Sequence, residues 1–506
     1  MRARRVNGCL LVLVCLIALR AAAAEPLRFR VRLDESVANQ PITGRLYVFL
    51  SHRSAQPRFG PNWFQPEPFF GQDVAGFEPG KSHEIDDKAD GFPAPLSRLR
   101  PGEYRVQAVL HHSFDVPQPG QAPGNFYSAT ATASLDPAAS GAVDLVLDRV
   151  VEKATFPQSP SLEEFTLQSP LLSEYHGRDV VEPAAVVLPA SYPREPDRRY
   201  PVVYVIPGFG GSHRDLARAY MNGPPPPGPG EGEFIRVLLS GQCRWGHHVF
   251  ANSATNGPRG DALVREMVPA IDRKYRTVAA TTARFVTGHS SGGWAALWLQ
   301  VNYPDVFGGV WSLAPDPVDF RNFQEVDLYA DPPLSLFRDP RGALRPIARR
   351  GPQPVLWYEP FVRMDDTLKY GGQIRSFEAV FSPLGPDRQP RKICDRATGR
   401  IDPEVAAAWQ QYDINLLLKR NWPTLGPKLQ GKLHITAAGM DTFYLEGAVK
   451  LLAATLRELG SDAQIQIVPG ADHSSLLTPE LNRRNRLEMS QAFLKSKHGD
   501  SQSQLP

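Results

Sequence analysis

The sequence predicts an α/β fold with a mostly parallel sheet, preceded by an N-terminal β-sandwich. Two patterns support this prediction. From residue 25 to about 150, short segments such as Leu27 to Leu33 alternate apolar with charged residues, which is typical of strands with one buried face. From about residue 165 onward, apolar strand segments alternate with helical segments, as expected for a parallel sheet with helices on both faces.

Length and charge fit two folded units and exclude one class of partner. A chain of 506 residues is too long for a single ordinary core, so we predict a sandwich over 25–155 and an α/β unit over 160–497. The formal net charge is only +3 and no basic stripe is present, so nucleic acid is not an expected partner. No pattern in the sequence indicates an oligomeric state.

The first 24 residues have the pattern of a secretory signal peptide. Basic residues within Met1 to Arg5 precede an apolar run from Cys9 to Leu19 and the small residues Ala21 to Ala24. We therefore expect a mature chain that begins near Glu25 and is secreted or periplasmic. No segment is apolar over the length needed to cross a bilayer, so stable membrane insertion is not expected.

The predicted sandwich contains histidines that invite a metal interpretation. Its clearest strand segments are 27–33, 46–50, 104–110 and 143–147. The histidines are His83 and the adjacent pair His111 and His112. No further ligand stands at metal-binding spacing to complete a site with them, so we expect all three to lie in solvated loops. No metal and no organic cofactor is predicted.

Strand and helix segments of the α/β unit follow one another in order. Strands are predicted at 201–206, 248–251, 284–287, 307–313, 433–438 and 465–468, with helices at 261–275 and 446–459. Between about 316 and 425 this alternation is lost, which predicts a cap-like insertion. Its aromatic residues could line a pocket or form the core of a small subdomain, and we favour the core; they are Trp357, Tyr358, Phe361, Tyr370, Phe377 and Phe381.

A glycine-rich turn contains the candidate nucleophile. The segment Gly288 to Gly293 follows a predicted strand and precedes a helical segment that begins at Trp294. A Gly-x-Ser-x-Gly turn between a strand and a helix holds its serine in a strained conformation with the hydroxyl exposed, which makes Ser290 the candidate. The alternative is an ordinary glycine-rich surface turn.

A serine nucleophile needs a base that is oriented by an acid, and both should follow later strands. His473 follows the strand 465–468, whereas His434 lies inside a strand and His498 lies in a polar tail. Asp441 directly follows the strand 433–438 and is the candidate acid, with a helix N-cap as its alternative role. Asp472 is the rival acid, but its side chain should point away from that of its neighbour His473.

Two backbone amides are the candidates for an oxyanion hole. Ser291 follows the nucleophile, and Phe209 lies in the glycine-rich loop 207–211 after the strand 201–206. The alternative for this loop is a plain turn. It lacks the Gly-Lys-Ser/Thr ending of a nucleotide-phosphate loop.

An ordered set of motifs resembles the putative-esterase family, which includes enterochelin esterases, feruloyl esterases, S-formylglutathione hydrolases and mycolyltransferases. The motifs are Tyr200 to Gly208, Phe250 to Gly257, Glu266 to Asp272, Gly288 to Gly293 and Pro304 to Gly308. The resemblance covers about 165–315 and 430–495. It implies an α/β-hydrolase fold, with Ser290, Asp441 and His473 as nucleophile, acid and base. Many relatives have His-Gly where this chain has Pro207-Gly208.

The preferred hypothesis is an exported serine esterase that acts on a small-molecule or glycan ester through an acyl-enzyme on Ser290. Two alternatives are an acyltransferase that uses the same triad and a non-catalytic glycan-binding or partner-binding protein on a hydrolase scaffold. The expected mature chain contains two cysteines, Cys243 and Cys394. They form either a disulfide or two separate buried thiols.

Overall fold

The computed structural model of the protein describes residues 25–502, with side chains up to residue 495. The expected signal peptide and the side chain of His498 lie outside these limits. The described chain consists of an N-terminal sheet and a larger α/β unit that pack against each other.

Nine strands form the N-terminal sheet, in the order β4-β1-β9-β7-β6-β2-β3-β5, with β8 paired to β6. They are β1 (Arg28–Leu33), β2 (Ile42–Ser51), β3 (Phe69–Phe77), β4 (Ser82–Ile85), β5 (Asp90–Phe92), β6 (Gly102–His111), β7 (Phe126–Ser128), β8 (Ala131–Leu135) and β9 (Ala142–Val150). The sheet is continuous and curls around one apolar core, which differs from the predicted β-sandwich. Alternation in sequence indicates which face of a strand is buried, but not that β7 joins β9 to β6.

Strand β2 is buried on both faces, and this attaches the N-terminal sheet to the α/β unit. Leu46, Val48 and Leu50 point into the core of the curled sheet. Tyr47 and Phe49, which alternate with them, belong to the core of the α/β unit instead. Because successive side chains of a strand face opposite sides, one strand contributes to both cores.

The α/β unit contains an eight-stranded sheet in the order β10-β11-β13-β12-β18-β19-β22-β23. Its strands are β10 (Leu162–Gln168), β11 (Val181–Val187), β12 (Val202–Ile206), β13 (Ile235–Leu239), β18 (Arg284–His289), β19 (Gly309–Leu313), β22 (Leu433–Ala438) and β23 (Gln464–Val468). Strand β11 is antiparallel to β10 and β13, and every later neighbouring pair is parallel. The carboxyl ends of β12, β18, β19, β22 and β23 therefore meet at one edge.

Helices and short hairpins complete this unit. The hairpin strands are β14 (Gln242–Cys243), β15 (Gly246–His247), β16 (Asn252–Ser253), β17 (Gly257–Pro258), β20 (Pro346–Arg350) and β21 (Gln353–Trp357). The helices are α1 (Pro170–His176), α2 (His213–Arg218), α3 (Arg259–Ala262), α4 (Val268–Lys274), α5 (Ser291–Asn302), α6 (Tyr358–Leu368), α7 (Gln373–Phe381), α8 (Pro403–Trp409), α9 (Ile414–Leu429), α10 (Glu446–Glu458) and α11 (Pro479–Gln502). A π-helical turn, Leu263–Met267, joins α3 to α4 just before Pro269, which has no amide hydrogen to donate.

The strand predicted at 248–251 is wrong. Val249 and Phe250 have positive φ angles of 44° and 52°, and their amides donate to the Nδ1 atoms of His247 and His248 in a local turn. The position beside β12 is taken by β13, which the sequence prediction missed. A four-residue apolar run is too short for its periodicity to separate a strand from a buried turn.

The prediction of solvated loop histidines is also wrong for His111. It is fully buried at the end of β6, where its Nε2 lies 3.1 Å from the carbonyl oxygen of Ser113. Burial lowers its pKa to about 4, so the ring is neutral. Cys243 and Cys394 are both free and buried, in agreement with the second of their two alternatives.

Arg45 anchors β2 to α6. Its guanidinium donates to Asp73 at 2.9 Å, to Asp90 at 2.6 Å and to the carbonyl oxygen of Thr367 at 2.8 Å, and the side chain is 2 % exposed. Burial of so large a cation is tolerated because its hydrogen bonds replace those made to water.

We expect Arg45→Ala to lower the free energy of unfolding by about 2–3 kcal/mol, because it leaves a cavity and an unpaired carbonyl between the two units. Urea unfolding monitored by tryptophan fluorescence would measure the loss. Arg30→Ala is the matched control, since Arg30 also pairs with an aspartate but lies on the solvent side of the same sheet. Its unfolding midpoint should stay unchanged, and equal losses in both variants would contradict this role of Arg45.

Candidate active site

Ser290 lies in a sharply turned backbone between β18 and α5. Its φ of 61° and ψ of −126° are unusual for a residue with a side chain and cost an estimated 1–3 kcal/mol. The surrounding packing maintains this conformation: the Ser290 amide donates to the carbonyl oxygen of Leu313 at 2.9 Å, and the Ser290 carbonyl accepts from the amide of Asp316 at 3.3 Å. The turn is the strand-to-helix turn that the sequence predicts.

The glycines of this turn are required by backbone contacts. A Cβ atom at Gly288 would lie 2.2 Å from the carbonyl oxygen of Gly292, and one at Gly292 would lie 2.2 Å from that of Ile206. Both distances are far below van der Waals contact. The turn can therefore approach the end of β12 only because these positions have no side chain.

His473 and Asp441 form a hydrogen-bonded pair at the same edge of the sheet. Nδ1 of His473 lies 2.8 Å from Oδ2 of Asp441, which is fully buried. The other carboxylate oxygen accepts from the amide of Phe443 at 2.8 Å. Because the carboxylate accepts a hydrogen bond from the proton on Nδ1, Nε2 is left as the basic nitrogen.

Neither the alternative role of Asp441 as a helix N-cap nor the rival acid Asp472 fits the structure. Helix α10 begins at Glu446 with Leu445 at its N-cap, so Asp441 does not cap it. Asp472 lies in an exposed turn, where its carboxylate accepts from the amides of Ser474 and Ser475. The carboxylate that orients His473 is therefore that of Asp441. His434 lies in β22 and stacks on Trp311, in agreement with the structural role expected for it.

A second histidine supports His473. Nε2 of His289 lies 2.9 Å from the carbonyl oxygen of His473, and the two ring centroids are 4.4 Å apart. Burial lowers the pKa of His289 to about 4, so this ring is neutral and does not oppose a positive charge on His473. Phe443 packs edge-on against His473, with 5.1 Å between centroids.

Ser290 and His473 line the same cavity. Within residues 25–502 no hydrogen bond joins the Ser290 hydroxyl to the His473 ring. Catalytic hydrogen bonds of ligand-free enzymes are often long and shorten when substrate binds.

The loop 207–211 lies directly against Ser290. A Cβ atom at Gly208 would be 3.4 Å from the Cβ of Ser290. Nε2 of the buried His247 lies 3.1 Å from the carbonyl oxygen of Pro207, which fixes the start of the loop. The amides of Phe209 and Ser291 donate to no other group in the described chain, so both are available to a negatively charged oxygen.

Asp316 is a further acid in the cavity, and the sequence analysis missed it. It follows β19, is 6 % exposed, and its Oδ2 accepts from the Ser291 hydroxyl at 2.5 Å. Burial raises its pKa to about 6, while hydrogen bonds from Ser291 and Ser290 and the nearby His473 ring partly oppose the rise. Its position at the carboxyl end of a predicted strand was the available signal.

The cavity holds about 250 Å³, and five aromatic side chains contribute to its walls. Phe209, Phe361, Phe377 and Phe443 contribute rings, and Trp63 contributes one from the N-terminal sheet. Trp63 packs edge-on against Phe361 at 5.1 Å and lies 5.5 Å from Phe209. Of the six aromatic residues named in 316–425, Phe361 and Phe377 line the cavity and Tyr358, Tyr370 and Phe381 are packed in the interior. Trp357 is partly exposed and does not line the cavity.

Strand β20, in the segment 316–425, supports the loop that carries Asp441. Nε of Arg349 donates to the Asp441 carbonyl at 2.9 Å, and Nη2 donates to Glu446 at 2.5 Å. The guanidinium also lies 4.5 Å from the Tyr444 ring centroid. This segment therefore fixes the acid loop from outside the sheet. No sequence pattern indicated that contact.

The sequence model of the putative-esterase family matches residues 246–425. This match confirms the resemblance inferred from the motifs. The matched segment includes Ser290 and the whole stretch 316–425, which the motif comparison had left unassigned, and it ends before Asp441 and His473. No curated protein matches the chain.

Several solved structures are similar to the chain at low identity. A ferulic acid esterase is 14% identical, with a TM-score of 0.41, and the match covers 65% of this chain and 97% of that one. The fluorophosphonate-binding serine hydrolase F of Staphylococcus aureus is 13% identical, with a TM-score of 0.40 and coverages of 65% and 98%. An S-formylglutathione hydrolase from Agrobacterium tumefaciens is 14% identical, with a TM-score of 0.37 and coverages of 66% and 95%.

We expect Asp316→Asn to stabilise the protein at neutral pH. Because the pKa of Asp316 is higher in the folded than in the unfolded chain, the folded state loses stability as pH rises between about 4 and 6. Asparagine removes that loss, so the gain should grow across this range and level off at about 2–3 kcal/mol above it.

Urea unfolding at pH 4.5, 6 and 7.5 would measure this gain. Asp319→Asn is the matched control, because Asp319 is equally buried but is paired with Arg321 at 2.6 Å. It should show no gain at any pH. If the difference in stability between Asp316→Asn and the unsubstituted protein did not change with pH, Asp316 would not have the raised pKa on which this prediction rests.

Proposed function

We propose that the protein is an exported serine esterase that hydrolyses a carboxylic ester through an acyl-enzyme on Ser290. The observation that carries this proposal is the Asp441–His473 pair, placed at the ends of β22 and β23 and facing the cavity that contains Ser290. The family match over residues 246–425 supports a hydrolase of the esterase class. The order of strands in the parallel sheet supports an α/β-hydrolase core, with 316–425 as an elaboration above it.

The first half-reaction uses the three side chains in turn. His473 Nε2 takes the proton of the Ser290 hydroxyl as Oγ attacks the ester carbonyl carbon. The negative charge that develops on the carbonyl oxygen is stabilised by the amides of Phe209 and Ser291. His473 then gives its proton to the leaving alcohol as the carbon–oxygen bond breaks, which leaves the acyl group on Ser290.

Water completes the cycle. His473 removes a proton from a water molecule as it attacks the acyl carbon, and then returns that proton to Ser290 as the acid leaves. The Asp441 carboxylate keeps its hydrogen bond to Nδ1 and stabilises the positively charged imidazole. The neutral His289 beside this ring adds no opposing charge.

The cavity favours a short apolar or an aromatic acyl group. An enclosed apolar cavity of about 150 Å³ is large enough for benzene, so about 250 Å³ accommodates an aromatic ring with a short chain. Aromatic walls from Trp63, Phe361 and Phe377 suit such a group. The alcohol component is a small molecule or a glycan that extends away from this cavity.

We also propose that the protein acts outside the cytoplasm. The support is the basic, apolar and alanine-rich order of residues 1–24, which is the pattern of a cleavable signal peptide. No helix within residues 25–502 has the length and apolarity needed to cross a bilayer.

The proposal predicts that the mature chain hydrolyses p-nitrophenyl acetate and butyrate, and that Ser290→Ala abolishes hydrolysis. A fluorophosphonate probe should label the unsubstituted protein and not this variant. Ser291→Ala is the matched control, because it removes the neighbouring hydroxyl but keeps the backbone amide. Labelling should persist in it. Hydrolysis that survives in Ser290→Ala would refute the function.

Asp441→Asn should lower kcat/KM by about 10³–10⁴-fold, because an amide favours the wrong tautomer of His473 and cannot stabilise its charged form. Asp472→Asn should keep kcat/KM within about twofold, since its carboxylate serves only an exposed turn. Steady-state kinetics on p-nitrophenyl butyrate would compare the two. Similar losses in both variants would mean that Asp441 is not the orienting acid.

A further inference from the structure

A second and larger cavity lies where the N-terminal sheet meets the α/β unit. It holds about 1000 Å³ and is open to solvent along one side, and we refer to it as the junction cleft. Gln121 and Lys153 line it from the N-terminal side, and Arg214, Arg244 and Asn256 line it from the α/β unit. The loop 207–211 separates it from the catalytic cavity, since Gly210 lines the junction cleft and Phe209 lines the other.

Positive charge exceeds negative charge in the junction cleft. Seven lysine or arginine side chains and four carboxylates line it. Each carboxylate forms an ion pair with one of the arginines; the pairs are Arg178 with Asp115, Arg214 with Glu164, Arg218 with Asp215 and Arg259 with Glu182. Lys153, Arg244 and Arg388 remain without a carboxylate partner in the described chain.

Arg244 is held in place although it is exposed. Its guanidinium lies 4.2 Å from the Phe114 ring centroid and 4.3 Å from that of Tyr370, and it donates to the Tyr370 hydroxyl at 2.6 Å. An arginine ordered by two rings loses little further entropy when it binds an anion. Its donors are therefore preorganised for a carboxylate.

The wall of the junction cleft also contains polar atoms that lack a partner. Asn256 is 3 % exposed, and its Nδ2 donates to no other atom of residues 25–502. The buried Oγ1 of Thr255 and Oε1 of Gln389 also lack a hydrogen-bond partner within the described chain. Each of these atoms is shielded from solvent, so the wall would have to open before a ligand could form a hydrogen bond to it.

One aromatic side chain is exposed at this site. The Tyr175 ring lines the junction cleft and is 48 % exposed, while its hydroxyl donates to the carbonyl oxygen of Ala254 at 2.8 Å. The hydrogen bond fixes the ring, so its apolar surface remains accessible. Fixed aromatic rings beside polar donors suit a ligand that has both apolar ring faces and polar groups, as a sugar does.

From these features we propose that the junction cleft is a binding site for an acidic oligosaccharide, that is, a chain of sugar rings that carry carboxylates. Its volume is about four times that of the catalytic cavity, which suits several rings rather than one small ion. The three cations without a carboxylate partner line this one cavity, so together they favour an anionic ligand. The site does not depend on catalysis at Ser290.

Isothermal titration calorimetry with trigalacturonate would test this proposal. We expect binding to the unsubstituted protein and to Ser290→Ala alike, with an affinity that falls between 50 and 500 mM NaCl. Arg244→Gln and Arg388→Gln should each weaken binding by about tenfold. Arg388 is exposed, so its variant keeps the test valid even where loss of the Arg244 stacking disturbs the fold.

Arg194→Gln is the matched control, because Arg194 is an exposed arginine outside the junction cleft. It should bind as the unsubstituted protein does. Citrate and inorganic phosphate test charge without rings, and xylotriose tests rings without charge; each should bind at least tenfold more weakly than trigalacturonate.

Three results would overturn the proposal. The first is no binding of trigalacturonate at millimolar concentration. The second is binding that neither arginine variant weakens, or that Ser290→Ala abolishes, since the sugar would then occupy another site. The third is citrate, phosphate or xylotriose binding as tightly as trigalacturonate. Loss of esterase activity alone would contradict the proposed function and leave this site unaffected.

Discussion

The close approach of three backbone segments around Ser290 is the constraint on which the site depends. The end of β12, the end of β18 and the start of α5 come so near to one another that Gly288 and Gly292 have no room for a Cβ atom. The same approach strains Ser290 and brings the loop 207–211 against it. The proposed nucleophile and both candidate oxyanion amides therefore result from one packing arrangement, and one cannot be displaced without the others.

Much of this arrangement could be predicted because it depends on local order along the chain. Parallel strands place their carboxyl ends at a common edge, so a residue that follows a predicted strand has a known location even when its contacts are unknown. That rule brought Asp441 and His473 together correctly. It applies equally to Asp316, which follows β19 in the same way, although the sequence analysis did not include it.

The features that could not be predicted depend on contacts between distant segments. Trp63 reaches the catalytic cavity from a loop of the N-terminal sheet, and Arg349 supports the acid loop from β20. Neither residue belongs to a motif, and the sequence around each gives no indication of its contact. The sequence analysis predicted a sandwich instead of one continuous N-terminal sheet for a similar reason. The alternation of apolar residues does not indicate that β7 forms hydrogen bonds with both β9 and β6. The strand wrongly predicted at 248–251 shows the opposite error, in which an apolar run suggests a strand that does not form. Its backbone amides donate to histidine rings in a local turn instead of to a neighbouring strand.

The position of Trp63 has a consequence for how such a protein can diversify. A loop of the N-terminal sheet supplies one wall of the cavity beside Ser290, while the proposed nucleophile, base and acid all lie in the α/β unit. Under the proposed function, mutations in that loop can change which acyl groups are accepted without altering Ser290, His473 or Asp441. The N-terminal sheet is thus a region in which substrate preference can drift during evolution at little risk to the catalytic machinery.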